Sequence, residues 1–86
     1  MRVLRVALDV PLATLFDYTV PDALDAQPGD RVVVPFGARS RVGVVVEQAA
    51  SSMVPLDKLK PVTRVLGDAP RMPAQWLDLM RFLSSY

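Results

Sequence analysis

The stretch "RVVVPFGARSRVGVVVE", residues 31 to 47, most restricts the folds open to this chain. Two valine-rich runs flank the short link "GARS", and in each run every second residue shares one face. A period of two with β-branched residues indicates strands, and so short a glycine-containing link predicts an antiparallel hairpin. Gly43, inside the second run, indicates a bulge or a close backbone approach. The residues predicted to face inwards are Val32, Val34, Phe36, Val42, Val44 and Val46.

Two further strands are predicted before this hairpin. "FDYTV" is a short strand that Pro21 closes, and "PG" at residues 28–29 fits the centre of a type II turn. The first strand ends at Pro11, because proline lacks the donor that pairing needs. Apolar and other residues alternate along this strand, so that one face is shared by Leu4, Val6, Leu8 and Val10.

The rest of the chain predicts one strand and one helix. A looser connection with one helical turn leads to "KPVTRVL", a strand in which Val62 and Arg64 oppose Thr63 and Val65. From Pro73 onwards apolar residues recur at helical spacing, namely Trp76, Leu77, Met80 and Leu83.

These elements predict a single α+β domain over residues 1–86. Its β-rich part spans 1–66 and forms a small, curled, barrel-like, mainly antiparallel sheet of four to five strands. A C-terminal helix over 73–86 covers one side. The predicted helix has no glycine or proline stop before Tyr86, which suggests a fragment of a longer protein.

The chain contains no cysteine and no histidine. It therefore lacks thiolate nucleophiles, the commonest general base and the commonest soft metal ligands. With 51% apolar residues it should be ordered. No apolar run approaches the ~20 residues of a membrane span, and the N-terminus is no signal peptide. We expect a soluble, cytoplasmic binding module without a cofactor or metal of its own.

Charge is distributed unevenly, although the net charge is +1. Residues 1–30 carry a net charge of −3, and residues 31–64 carry +4. A basic middle beside an acidic start could bind an anion, whereas scattered solvated charge would give the same counts. Composition alone leaves both alternatives open.

Three polar stretches are candidate binding segments: "LFDYT", "PFGARSR" and "DKLKP". Aromatic faces stack bases, an aspartate accepts hydrogen bonds from amines or sugar hydroxyls, a glycine turn admits a ribose, and lysines neutralise phosphate. Each stretch also has an ordinary alternative: core aromatics beside a solvent-facing acid, a plain hairpin, or a charged loop. If they converge, they form a nucleotide-sized pocket from Phe16, Asp17, Tyr18, Gly37, Arg39, Arg41, Lys58 and Lys60.

The order of four motifs resembles the bacterial primosomal protein N′ family, the replication restart helicases called PriA. The motifs are "VALDVPLATLFDYTVP", "PGDRVVVPFGARSRVGVVV", "LKPVTRVL" and the closing helical segment, and the resemblance runs from Val3 to Tyr86. It implies a domain that captures the 3′ end of the nascent leading strand at stalled forks. The pocket it implies consists of Phe16, Asp17, Tyr18, Gly37 and Lys60. From their charge and position in the candidate segments, Arg39, Arg41 and Lys58 are expected to make weaker contacts to the DNA backbone.

For the longer protein, the resemblance implies a superfamily 2, ATP-dependent 3′→5′ DNA helicase. ATP, magnesium and zinc would belong to that protein, as would its partners, the other primosome proteins and single-stranded DNA-binding protein. This chain would be a DNA-binding, non-catalytic part of it, located at the nucleoid and away from membranes. The alternative function is a docking module, whose valine-rich edge or terminal helix binds a partner or the rest of the longer chain.

Overall fold

A computed structural model describes residues 2–8, 14–67 and 70–84. The elements are β1 (Arg2–Leu8), β2 (Leu15–Val20), β3 (Arg31–Phe36), β4 (Arg39–Ala49), a 3₁₀ turn (Leu56–Lys58), β5 (Arg64–Leu66) and α1 (Ala74–Ser84). The strands pair antiparallel in one open sheet with the order β2-β1-β4-β3-β5. The predicted α+β fold is confirmed, although the sheet is not closed into a barrel. Val10, Pro11 and Tyr86 lie outside the described residues.

The sheet curls until strands β2 and β3, which are not neighbours in it, come into contact. The rings of Phe16 and Phe36 meet edge to face, with centroids 5.2 Å apart. The Tyr18 hydroxyl donates a hydrogen bond of 2.8 Å to the carbonyl of Pro35. We call this meeting line between β2 and β3 the seam.

Residues 60–63 cross the seam with backbone hydrogen bonds on both sides. On β2, the Thr19 amide donates to the carbonyl of Lys60, and the Val62 amide donates to the carbonyl of Thr19. On β3, the Thr63 amide donates to the carbonyl of Val33. The chain therefore changes partner strand between residues 62 and 63.

That change of partner corrects the predicted last strand. Val62 is buried and Arg64 is exposed, so the two do not share an environment, and Val65 packs against the core instead. Alternation holds only along a strand that keeps one partner. The regular strand is accordingly limited to Arg64–Leu66.

The main core lies on the concave face of the curled sheet. The inward positions predicted for β1 and β3 are confirmed where they are described, and the predicted turn at residues 28–29 is closed by a hydrogen bond from the Asp30 amide to the Gln27 carbonyl. The buried cluster comprises Leu4, Val6, Leu8, Tyr18, Val20, Ala26, Val32, Val34, Val45 and Val62.

The predicted inward face of β4 is wrong because the register of the β3–β4 hairpin places Arg41 and Gly43, rather than Val42 and Val44, opposite the core residues Val34 and Val32. A bulge then changes the alternation near the end of the strand. Arg5 of β1 lies opposite Glu47, and the next residue, Val6, lies opposite Val45. Val46 is therefore an extra residue in the ladder, and it reverses the alternation only for the residues that follow it.

The hairpin register and the bulge together give β4 its observed pattern of burial. Val45 joins the core cluster, Val44 is half-buried and Val42 is exposed. Val46 is also fully buried, but outside that cluster. The strand also begins at Arg39, two residues before the predicted start, so the hairpin loop has two residues.

Helix α1 packs on the second face of the sheet. Leu77 is its buried residue, and Trp76 and Met80 border a hollow together with Ala7 and Val44. Three of the four residues at the predicted helical spacing, Trp76, Leu77 and Met80, therefore lie on the packed side of α1, whereas the fourth, Leu83, is exposed. Among the described residues, no helix has the length and apolar character needed to cross a membrane.

We expect Val34→Ala to lower the free energy of unfolding by about 1–3 kcal/mol, because it removes two methyl groups from a fully buried position. Val44→Ala is the matched control, since Val44 is half-buried on the second face. Its cost should be the smaller of the two. Urea denaturation monitored by circular dichroism measures both, and equal losses would contradict the face assignment.

Candidate nucleotide-binding hollow

A hollow of about 240 Å³ lies at one end of the seam. It brings together all five residues of the predicted pocket, together with Lys58. The predicted backbone-contact residues Arg39 and Arg41 do not line it. The lining residues are Phe16, Asp17, Tyr18, Pro35, Phe36, Gly37, Val54, Lys58 and Lys60.

The two aromatic residues of β2 differ in their availability to a ligand. Tyr18 is 5% exposed, and its hydroxyl is occupied by the carbonyl of Pro35. Burial raises the pKa of Tyr18 above its ordinary value of 10.0, so its ring is a neutral wall of the hollow. Phe16 is half-buried, with Phe36 against it, and can present part of a ring face to a base.

Gly37 forms the tip of the β3–β4 hairpin. Its φ is +62°, and it is the first of two loop residues, the position that glycine occupies in a type II′ turn. A β-carbon built on it would have no atom within 4 Å. The conformation therefore favours glycine, and the space beside it is open.

The two lysines of the hollow lie on the connection between β4 and β5. Lys58 ends the 3₁₀ turn, and Lys60 precedes the crossing of the seam. Both are exposed, and neither takes part in an ion pair within the described ranges. Their positive charges are thus available to an anion at this rim.

The Asp17 carboxylate has partners that sequence reasoning missed. It lies 3.7 Å from the Arg5 guanidinium and accepts a hydrogen bond from the Ser52 hydroxyl. Its side chain is 16% exposed, so the solvent-facing alternative is wrong. Pairing the first two strands in register would have placed Arg5 opposite Asp17, whereas nothing in the sequence indicated Ser52.

Asp17 also borders a second hollow, of about 420 Å³, beneath the end of α1. That hollow is lined by both cations and anions, with Arg5 and Arg81 facing Asp17 and Glu47. The first hollow differs because its two lysines face a single carboxylate. The first hollow is therefore the better anion site.

Arg39 and Arg41 lie beside the first hollow on the hairpin. Their partners across the ladder are Phe36 and Val34, respectively, so they share the face from which Phe36 reaches the hollow. Both are exposed. They extend a positive surface away from the hollow along β4.

The residues that the structure describes include no group of three or more acidic side chains able to hold a metal ion. With cysteine and histidine absent from the sequence, the available donors do not suit zinc. The chemistry of the hollow is therefore that of an aromatic ring, a carboxylate, a glycine turn and two lysines.

The chain is similar to one protein family and to several known proteins. Residues 5–86 match the family described as the 3′ DNA-binding domain (3′BD) of PriA. The replication restart protein PriA of Haemophilus influenzae is 44% identical over 86 residues, which is 100% of this chain and 12% of that protein. The PriA proteins of Rickettsia felis and Rickettsia conorii are 35% and 33% identical over 88 residues. The chain spans 13% of each Rickettsia protein.

Proposed function

Because this chain belongs to the PriA 3′ DNA-binding domain family, we propose that it binds a DNA strand by its 3′ end and holds the terminal nucleotide in the first hollow. The observation that carries the proposal is the convergence of three segments, far apart in sequence, on one small hollow. Its volume is slightly below the roughly 300–1,000 Å³ of sites for drug-sized ligands, so it suits one nucleotide rather than several.

Each group in the hollow has a distinct role in this proposal. The terminal base stacks on the accessible part of Phe16, the sugar lies against the open side of Gly37, and the phosphate on its 5′ side meets Lys60 and Lys58. Asp17 accepts a hydrogen bond from the 3′-hydroxyl. An ionised carboxylate has about four acceptor positions, and the Ser52 hydroxyl uses one of them.

In this proposal the Asp17 carboxylate also makes the site select a 3′-hydroxyl end over a 3′-phosphate end. A 3′-phosphate would bring negative charge against Asp17 and would offer no hydroxyl proton. The next phosphates along the strand would meet Arg39 and Arg41, which lie beside the hollow. Those contacts would add affinity without reading sequence.

In the longer protein, we propose that this domain captures the 3′ end of the nascent leading strand at stalled forks during replication restart. The helicase activity, ATP, magnesium, zinc, and the primosome and single-stranded DNA-binding partners suggested by the resemblance would belong to that protein. None of them has a role in the hollow as proposed. The expected location is the cytoplasm, at the nucleoid.

A second candidate function is docking through α1, which carries exposed Leu79, Phe82 and Leu83. The two functions differ in their response to salt. Binding through phosphate contacts weakens steeply as salt rises, because each neutralised phosphate releases counterions. Apolar docking lacks that dependence.

We expect the 86-residue chain to prefer a 3′-hydroxyl over a 3′-phosphate on the same oligonucleotide by about tenfold or more. The reason is that one charge-assisted hydrogen bond is lost and charge repulsion is added. Fluorescence anisotropy with 5′-labelled oligonucleotides measures the affinities.

A third oligonucleotide, whose 3′ end is paired inside a hairpin, serves as the control for general strand binding. The 3′-hydroxyl strand should bind most tightly of the three. Equal affinity for all three would show a general single-strand binder and would refute end capture.

A further inference from the structure

We propose that Arg5 and Ser52 are positioning residues of the first hollow: they hold Asp17 and the lysine-bearing segment 54–60 in place against β2. This inference rests on the proposed function of that hollow. Neither residue lines it. Both act through Asp17, which they contact from two sides.

Arg5 fixes the carboxylate from across the sheet. It lies opposite Asp17 on β2 and opposite Glu47 on β4, so three adjacent strands carry an acid, a base and an acid in one row. The guanidinium is 3.7 Å from Asp17 and 3.5 Å from Glu47. A cation held by two carboxylates has little freedom to move away from either.

Ser52 joins the Asp17 carboxylate to the segment that follows β4. Its hydroxyl donates to Asp17 and accepts a 3.0 Å hydrogen bond from the Val54 amide. Val54 is the first residue of this connection to line the hollow, and Lys58 and Lys60 follow it.

The connection is thereby attached to β2 at two points. One is Asp17, through Ser52, and the other is Thr19, whose amide donates to the Lys60 carbonyl. Between these points lie Lys58 and the backbone that carries it. Losing the first attachment leaves the lysine segment held at one end, so binding must then supply the entropy of ordering it.

The experiment measures the affinity of the 86-residue chain for the 3′-hydroxyl oligonucleotide. Ser52→Ala and Arg5→Ala should each weaken binding about fivefold, and Ser52→Thr, which keeps the hydroxyl, should restore it. Combined with Lys60→Ala, Ser52→Ala should cost less than it does alone, because both changes act on the same lysine segment.

Arg2→Ala is the matched control, since Arg2 is on the same strand and its ion pair with Asp25 lies away from the hollow. The Arg2 side chain is 42% exposed, against 38% for Arg5. The Arg2→Ala substitution removes the same charge as Arg5→Ala. Its effect should be small and should add to that of Lys60→Ala.

Three results would overturn the inference: unchanged affinity in Ser52→Ala, full additivity with Lys60→Ala, or an equal loss in Arg2→Ala. In each of them Lys60→Ala still weakens binding, so the proposed function stands. Failure of that function would appear differently, as no effect of Lys60→Ala itself. If Arg5→Ala does not fold, Ser52→Ala and Ser52→Thr decide the matter.

Discussion

Gly43→Ala should lower the melting temperature of this chain by roughly 10–20 °C, corresponding to about 2–3 kcal/mol in a domain of this size. Gly43 lies in β4 and faces the concave core. An added β-carbon would overlap Val6 Cγ1 and lie 2.7 Å from Leu8 Cδ2 and 2.9 Å from the Ala7 carbonyl oxygen. A backbone oxygen and a short β-branched side chain in a buried strand cannot move aside cheaply.

Gly67→Ala is the control for this prediction, because a β-carbon at Gly67 would meet no atom within 4 Å. Thermal unfolding followed by circular dichroism compares the two variants. A Gly43→Ala protein that melts with the parent chain would mean that β1 and β4 are farther apart than described here.

Phe16→Leu should weaken binding of the 3′-hydroxyl oligonucleotide by about 10- to 100-fold while preserving the fold. Stacking of one base on an aromatic side chain contributes about 1–3 kcal/mol, and leucine keeps apolar volume beside Phe36 without a ring face. Anisotropy titration gives the affinity, and a denaturation curve gives the stability of the same sample.

Two further variants sharpen the test of Phe16. Phe16→Tyr keeps a ring face and should retain most of the affinity. Leu79→Ala removes an exposed apolar side chain of α1 and should leave DNA binding unchanged. A Phe16→Leu protein that binds as tightly as the parent chain would exclude stacking at this position.

Period-two patterning was sufficient to predict the strands and the inward faces of β1 and β3. Strand β3 keeps one register with β4, and the core-facing residues of β1 still alternate although the β1–β4 ladder shifts between Arg5 and Val6. The patterning failed on β4 because the inward face of that strand is set by its pairing with β3, and a bulge opposite β1 changes it again. The run "VGVVVE" reads equally well in either phase, and the position of the extra residue depends on β1.

Six of the nine residues that line the hollow could be predicted, whereas Pro35, Phe36 and Val54, and the internal arrangement of the hollow, could not. Residue types and motif order indicated the segments that converge. The burial of Tyr18, the ion pair of Asp17 with Arg5 and the attachment by Ser52 depend on which strands meet across the curl. Such contacts are set by the tertiary structure, and no local spacing records them.

If a strand end binds in the first hollow as proposed, the seam makes DNA affinity a measure of complete folding. One wall of the hollow comes from β2, another from the end of β3, and the lysine rim from the segment after β4, so neither hairpin alone contains a site. Two hydrogen bonds join these walls. The bond from Tyr18 to Pro35 spans 17 positions of the sequence, and the bond from Ser52 to Asp17 spans 35. Contacts of long sequence separation incur the loop-closure cost late in folding. A chain still emerging from the ribosome, with both hairpins formed and residues 54–63 not yet made, would therefore be unable to engage a strand end prematurely.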